Sequence, residues 1–223
     1  DAIKEPRGFI RILQLIFVIC AFATTCNFSG DIKIDAKCLD NRTVSANIPV
    51  FYPFSISNAT NVVPICAPTK PMFGDYAASA QFFVFVGVIS FLYCVAMLLL
   101  YTVLRNHYDS DDRIKKADFL SSSFVVLLWF LASIVWASGV DQLKRYTSEQ
   151  VLQKELCGEA NDCHVETLQT YAGLNISLVF GFANIALWAS SLWFLWKETP
   201  WFQGNSNDLL EDSAVPAVDG APL

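Results

Sequence analysis

Charged side chains vanish from four stretches of the chain. Ile12 to Gly30, Tyr76 to Leu104, Phe119 to Val140 and Thr167 to Trp196 contain no Asp, Glu, Lys or Arg. Each can hold the roughly 20 predominantly apolar residues that a bilayer core demands of a helix. Lipid offers no partners to the backbone, so spanning segments are either helices or strands of a closed barrel. None of the four runs alternates with period two, and four transmembrane helices are predicted near residues 9–28, 79–104, 119–140 and 174–196. Residues 4–200 then form one all-α membrane domain, followed by a polar, acidic, Pro-containing tail, 201–223, expected to be disordered.

Within the apolar runs, small and polar residues recur at helical spacing. Ser177, Gly181, Asn184, Trp188 and Ser191 step by four, three, four and three along the last run, which places them on one helix face. Gly87, Ser90 and Cys94 form such a face in the second run, Ser133 and Ala137 in the third, and Gln14, Ala21 and Thr25 in the first. Apolar surface gains little by leaving apolar lipid, so membrane helices associate through close backbone approach and hydrogen bonds. The stripes therefore predict a helix bundle. The fourth-helix stripe is read as a face for packing inside it or for receiving a partner helix, with Asn184 a polar packing residue worth about 1 kcal/mol.

Between the first two runs the period changes to two. Ile32, Ile34, Ala36 and Cys38 alternate with Asp31, Lys33, Asp35 and Lys37, and Val44, Ala46, Ile48, Val50 and Tyr52 repeat the pattern until Pro53. A small antiparallel β ribbon is predicted there. An isolated ribbon is marginal in water, so its Val50-Phe51-Tyr52-Pro53-Phe54 end is expected to pack on the helix ends or on a neighbouring subunit.

Charge sets the orientation. Lys4, Arg7 and Arg11 stand before the first run, and Arg105, Arg113, Lys115 and Lys116 crowd the short second loop, whereas the basic residues of the first and third loops are dispersed. Under the positive-inside rule both termini are cytosolic, and loops 29–78 and 141–173 are luminal. The glycan acceptor sequons at Asn41 and Asn58 fall in the first of those loops. Cys38 and Cys66 lie there too, and Cys157 and Cys163 lie in the other, a distribution that suggests disulfides in an oxidising lumen. Free thiols, or a metal site built from Cys157, Cys163 and His164, are the alternatives. The sequons at Asn27 and Asn175 abut the membrane and are expected to stay unmodified. Ala21-Phe22-Ala23 also mimics a signal-peptide cleavage site, which would remove the first helix and leave the later topology unchanged.

Composition agrees with a membrane protein: 54% of residues are hydrophobic and only 16% charged, against about 25% charged in soluble domains. A net charge of −6 argues against a nucleic-acid partner. No ionisable residue is placed inside the predicted helices, which speaks against a proton-coupled transporter. His107 and His164 both fall in loops, and no phosphate cradle, nucleophile elbow or metalloprotease motif is found. No enzyme activity, metal or cofactor is expected. Leu99, Tyr101 and Arg105 fit the loose sterol-contact pattern at the end of the second helix, although an interfacial Tyr and a snorkelling Arg explain them more simply. Trp193, Trp196 and Trp201 gather as an aromatic belt, and Asn207 to Asp212 suggests a dileucine sorting signal.

Four separated motifs carry a resemblance: KEPRGFIRILQLIFVICAFATT from Lys4, GDYAASAQFF from Gly74, WASGVDQLK from Trp136 and GLNISLVFGFANIALWASSLWFLWKET from Gly173. Collinear over roughly residues 4–199, they closely resemble the synaptophysin family. The resemblance implies a four-helix MARVEL domain, cytosolic termini, and one disulfide in each luminal loop, thus Cys38 with Cys66 and Cys157 with Cys163. It also implies retention of the first helix, residence in small secretory or synaptic vesicles, self-association, cholesterol binding, and association with a synaptobrevin-like fusion protein through membrane segments. The short acidic tail replaces the family's long Tyr-, Gly-, Pro- and Gln-rich repeat and fits a pantophysin-like or mitsugumin-like branch. The expected function is a non-enzymatic vesicle protein that oligomerises and organises a synaptobrevin-like partner and cholesterol during vesicle formation, exocytosis or recycling. The rivals are a channel-forming oligomer and a junctional adhesion protein. Against them stand outer loops with two cysteines each where connexins have three, and a first loop without the tryptophan of a claudin.

Overall fold

In the computed structural model, residues 6–38, 42–55, 75–104, 108, 111–156, 162–167 and 170–198 are described. Among the described residues, four helices are long and apolar enough to cross a bilayer: α1 (Pro6–Cys26), α2 (Ala77–Val103), α3 (Asp112–Tyr146) and the last, α5 (Ala172–Glu198). A short helix, α4 (Glu149–Leu156), and three strands, β1 (Ser29–Lys37), β2 (Thr43–Phe51) and β3 (Asp162–Glu166), complete the elements. The chain is an all-α membrane bundle with a small sheet at one end.

Two helices start earlier than the charge-free runs indicate. α1 begins before Arg11, and α3 begins at Asp112, where the Asp111 carboxylate accepts from the Arg113 N–H at 2.9 Å. That cap and the acidic first turn suit the positive end of the helix dipole, and Lys144 and Arg145 suit the other end. At 35 residues α3 is about 52 Å long, well beyond a core of about 30 Å. Charges at both of its ends therefore lie clear of the hydrocarbon while the helix stays continuous.

The helices close a ring. α1 packs against α2 and α5, and α3 packs against the same two. Inward residues follow the helical spacing: Ala80, Phe83, Gly87, Ser90, Cys94, Met97 and Tyr101 on α2 are all buried. Phe85, Leu92, Phe124, Leu127 and Val179 point outward, as lipid-facing residues should.

The alternating segments pair as predicted, in register from Ser29 opposite Phe51 to Lys37 opposite Thr43. The expected two-stranded ribbon is, however, the larger part of a three-stranded antiparallel sheet in the order β2-β1-β3. β3 comes from the segment between α3 and α5 and pairs Lys33 with Glu166 through Lys37 with Asp162. The sheet thereby joins the α1–α2 and α3–α5 connections and removes one of the ribbon's open edges. Its inner face buries Ile32, Ile34, Ala36, Ile48, Val50 and Val165. Phe54 follows β2 and packs in tilted geometry on Trp136 of α3 at 5.5 Å and on Phe28 at 5.8 Å, so the expected packing of this end on the helix ends is found within the chain.

Cys38 and Cys163 are each engaged in a disulfide, and Cys66 and Cys157 lie outside the described residues. Asn41, Asn58, Arg105, Trp201 and the rest of the tail also lie outside them. Asn175 is exposed, and its side-chain oxygen accepts from Lys144 at 2.6 Å.

If β3 holds these two connections together, Val165→Asp places an unpaired charge on the buried face of the sheet and detaches that strand. Hydrogen exchange should then accelerate across Lys33 to Lys37 while Ser29 to Asp31 keep their protection. Unchanged exchange at Lys33 to Lys37 would contradict the pairing.

Candidate functional site

Every helix of the bundle contributes to a polar cluster near the end opposite the sheet. Arg11 on α1 donates from Nη2 to Asp118 Oδ1 of α3 at 2.7 Å and to Ser122 Oγ at 2.9 Å, and from Nη1 to Gln14 Oε1 at 3.0 Å. The Asp118 carboxylate also accepts from three phenols: Tyr93 at 2.5 Å, Tyr101, and Tyr108 at 3.2 Å. Tyr93 and Tyr101 come from α2, while Tyr108 comes from the connection to α3 and meets Tyr101 edge-to-face at 4.8 Å. Gln14 Nε2 donates to Ser191 Oγ of α5 at 3.1 Å. The Arg11 guanidinium lies 5.2 Å from the ring centres of both Tyr93 and Trp188, within cation–π range.

These placements correct the reading that the helices carry no ionisable residue. Arg11 is 2% exposed and Asp118 3% exposed, so Arg11 is an interior partner and not a free flanking charge. A buried charge is tolerated where an opposite charge and further hydrogen bonds compensate it, and here Arg11, the three phenols and the Ser122 hydroxyl, at 3.3 Å, all donate to one carboxylate. A cleft of about 10 Å³ beside Arg11, Tyr101 and Ser191 is on the scale of one water molecule. Among the described residues no group of three His, Cys, Asp or Glu side chains is placed to hold a metal ion.

The signal for this cluster was in the spacing. Arg11, Gln14, Val18, Ala21 and Thr25 step by three and four along one face of α1 and are all buried. Asp118, Ser122, Val125, Trp129 and Ala132 do the same on α3. Each buried stripe continues outward past the point where the charge-free run stops.

The stripe on α5 faces the inside of the same bundle. Ser177 Oγ accepts from Trp136 Nε1 at 2.9 Å, and Ser191 accepts from Gln14. A Cβ on Gly181 would stand 2.9 Å from both Phe83 Cε2 and Ser133 Oγ, closer than real Cβ contacts come. Asn184 donates to Phe180 O at 2.9 Å, and Trp188 packs on Tyr93 at 5.8 Å. All five residues are buried against the other helices of the same chain. Leu99 is exposed to the lipid side, but Tyr101 turns inward onto Asp118, which separates two members of the sterol pattern. Trp193 and Trp196 remain exposed near the end of α5, with Lys197 5.2 Å above the Trp193 ring.

Two substitutions test this packing. Arg11→Met leaves Asp118 unpaired and should cost about 3–5 kcal/mol, and adding Asp118→Asn should recover part of that loss, as read by thermal unfolding in detergent. Gly181→Leu should cost about 1–3 kcal/mol by overpacking. Gly173→Ala, whose Cβ would meet Phe28 Cδ2 at 3.4 Å, should leave the transition in place.

Compared with known families, residues 2–194 match the profile of the MARVEL family, described as a membrane-associating domain.

Proposed function

The chain belongs to the MARVEL family of membrane-associating domains, and from that premise we propose that it is a non-enzymatic organiser of vesicle membrane. It oligomerises and gathers partners in small secretory or synaptic vesicles during their formation, exocytosis or recycling. The observation that carries this reading is a four-helix membrane bundle whose polar residues are turned inward while its outer faces are apolar. Such a surface is suited to lipid and to other membrane helices.

In this reading both termini face the cytosol and the sheet faces the vesicle lumen, where Cys38 pairs with Cys66, Cys157 pairs with Cys163, and Asn41 and Asn58 carry glycans. The motif resemblance to the synaptophysin family supports these assignments, together with a synaptobrevin-like fusion protein and cholesterol as partners. Partner helices engage the outward faces of the bundle, since the α5 stripe is occupied by α1, α2 and α3.

The test is isolation, without detergent, of membranes carrying the tagged protein from secretory cells, followed by cross-linking to synaptobrevin in mild detergent. Enrichment in small vesicles with a specific cross-link is expected. Residence at the plasma membrane or at cell contacts, or a reproducible unitary conductance from purified protein in bilayers, would contradict the reading.

A further inference from the structure

The solvent face of the sheet is polar along most of its length. Asp31, Lys33, Asp35 and Lys37 on β1, Thr43, Ser45 and Asn47 on β2, and Asp162, His164 and Glu166 on β3 are all exposed. Among the described residues of that face Phe51 is the one large apolar side chain, and it is 56% exposed. A single exposed apolar residue is ordinary on a soluble protein, so its position decides what it means.

Phe51 stands opposite Ser29 on the first rung of the sheet, and Ser29 follows closely on the end of α1 at Cys26. The Phe51 carbonyl accepts from Phe54 N at 2.7 Å, and the Phe54 carbonyl accepts from Tyr76 N, just before α2, at 3.2 Å. This rung therefore lies where α1 ends and α2 begins, which is the membrane boundary on the sheet side. The far end of β2, at Thr43, is about 26 Å away. Ile16, Ile19, Ala23 and Cys26 form the outward stripe of α1, stepping by three, four and three, and the stripe ends at the same level. Tyr52 interacts electrostatically with Cys26, so the Phe51 end of β2 is beside the end of that lipid-facing stripe. Elsewhere at this level Tyr146 is 47% exposed and packs on Tyr76 at 6.2 Å. Exposed aromatic side chains gathered at the level of helix ends are the mark of a membrane–water interface.

We infer that Phe51 enters the interfacial layer of the leaflet on the sheet side and anchors the first rung of the sheet to lipid. The polar rungs then rise from the membrane into water. A bilayer is the occupant because the stripe that leads to Phe51 is itself lipid-facing, and because charge returns on the next rung, at Asp31 opposite Pro49. A protein laid along this face would instead bury Asp31, Lys33 and Asp35, at the cost of desolvating them.

The test uses the full chain in phosphatidylcholine nanodiscs, with Cys20, Cys26 and Cys94 replaced and one nitroxide attached through Phe51→Cys, Ser45→Cys or Ile19→Cys. Collision with oxygen, which partitions into lipid, is compared with collision with a water-soluble nickel chelate. The label at position 51 should favour oxygen, as the label on the outward face of α1 at position 19 does, while the label at position 45 favours the chelate. Preference for the chelate at position 51, protection there from both reagents, or spin–spin broadening by a label on a second copy would overturn the inference. A second readout compares the native ring with its loss. With the nitroxide moved to Asn47→Cys, adding Phe51→Ser should raise collision with the chelate, because the strand is released from the surface. Unchanged collision at position 47 would overturn the anchoring role.

Discussion

Arg11 and Asp118 meet across the centre of the bundle, and the arrangement of all four spanning helices follows from keeping that pair satisfied. Helices α1 and α3 lie diagonally, each packed against α2 and α5. The guanidinium-to-carboxylate contact links this diagonal. α2 closes one side of it with Tyr93 and Tyr101, and α5 closes the other with Trp188 and Ser191. Loss of any of these helices from its position would leave a charge or a hydroxyl without a partner inside an apolar environment. In lipid that penalty does what hydrophobic burial does for a soluble core, since apolar faces are nearly indifferent to whether they touch a helix or an acyl chain. Register along the bundle is fixed by the same logic, through Trp129 on Ser90 and Trp136 on Ser177.

An inward polar surface has a consequence for partners. Small and polar stripes in membrane helices are read as association faces, yet here the α5 stripe is consumed within one chain, with Phe83 and Ser133 pressed against Gly181. What remains for lipid or other proteins is the apolar exterior of the helices, the aromatic end of α5, and the sheet. The proposed role as a vesicle organiser therefore places recognition on shape and on extramembrane contacts and keeps the polar groups for holding the bundle together. Tyr108, which lies between α2 and α3 in the sequence, also donates to the buried carboxylate.

Much of the fold was legible because the bilayer imposes length and apolarity on every spanning segment, and four charge-free runs met both demands. β1 and β2 were legible from their period of two. β3 was missed because Asp162 to Glu166 holds only Cys163 and Val165 on its inner face, too short a pattern to stand out without its partner. The site was half legible. Ser177, Gly181, Asn184, Trp188 and Ser191 were identified by spacing alone, and spacing could not say whether they faced in or out. Arg11 and Asp118 were missed because absence of charge was used to bound the helices, a rule that excludes in advance a compensated ion pair within them. Tyr101 was drawn toward sterol by a linear pattern, whereas its helical face aligns it with Met97, Cys94 and Ser90.

The claim on which the rest stands is that the α5 stripe faces the interior of its own chain. Cysteines placed at Gln14 and Ser191, whose side chains meet at 3.1 Å, in a chain with Cys20, Cys26 and Cys94 replaced, offer the direct measurement after treatment of native membranes with a short bifunctional thiol cross-linker. The account predicts a bond within one chain, seen as a monomer of altered mobility whose single-cysteine controls do not shift. A dimer linked between chains would place the stripe on an interface and contradict the account.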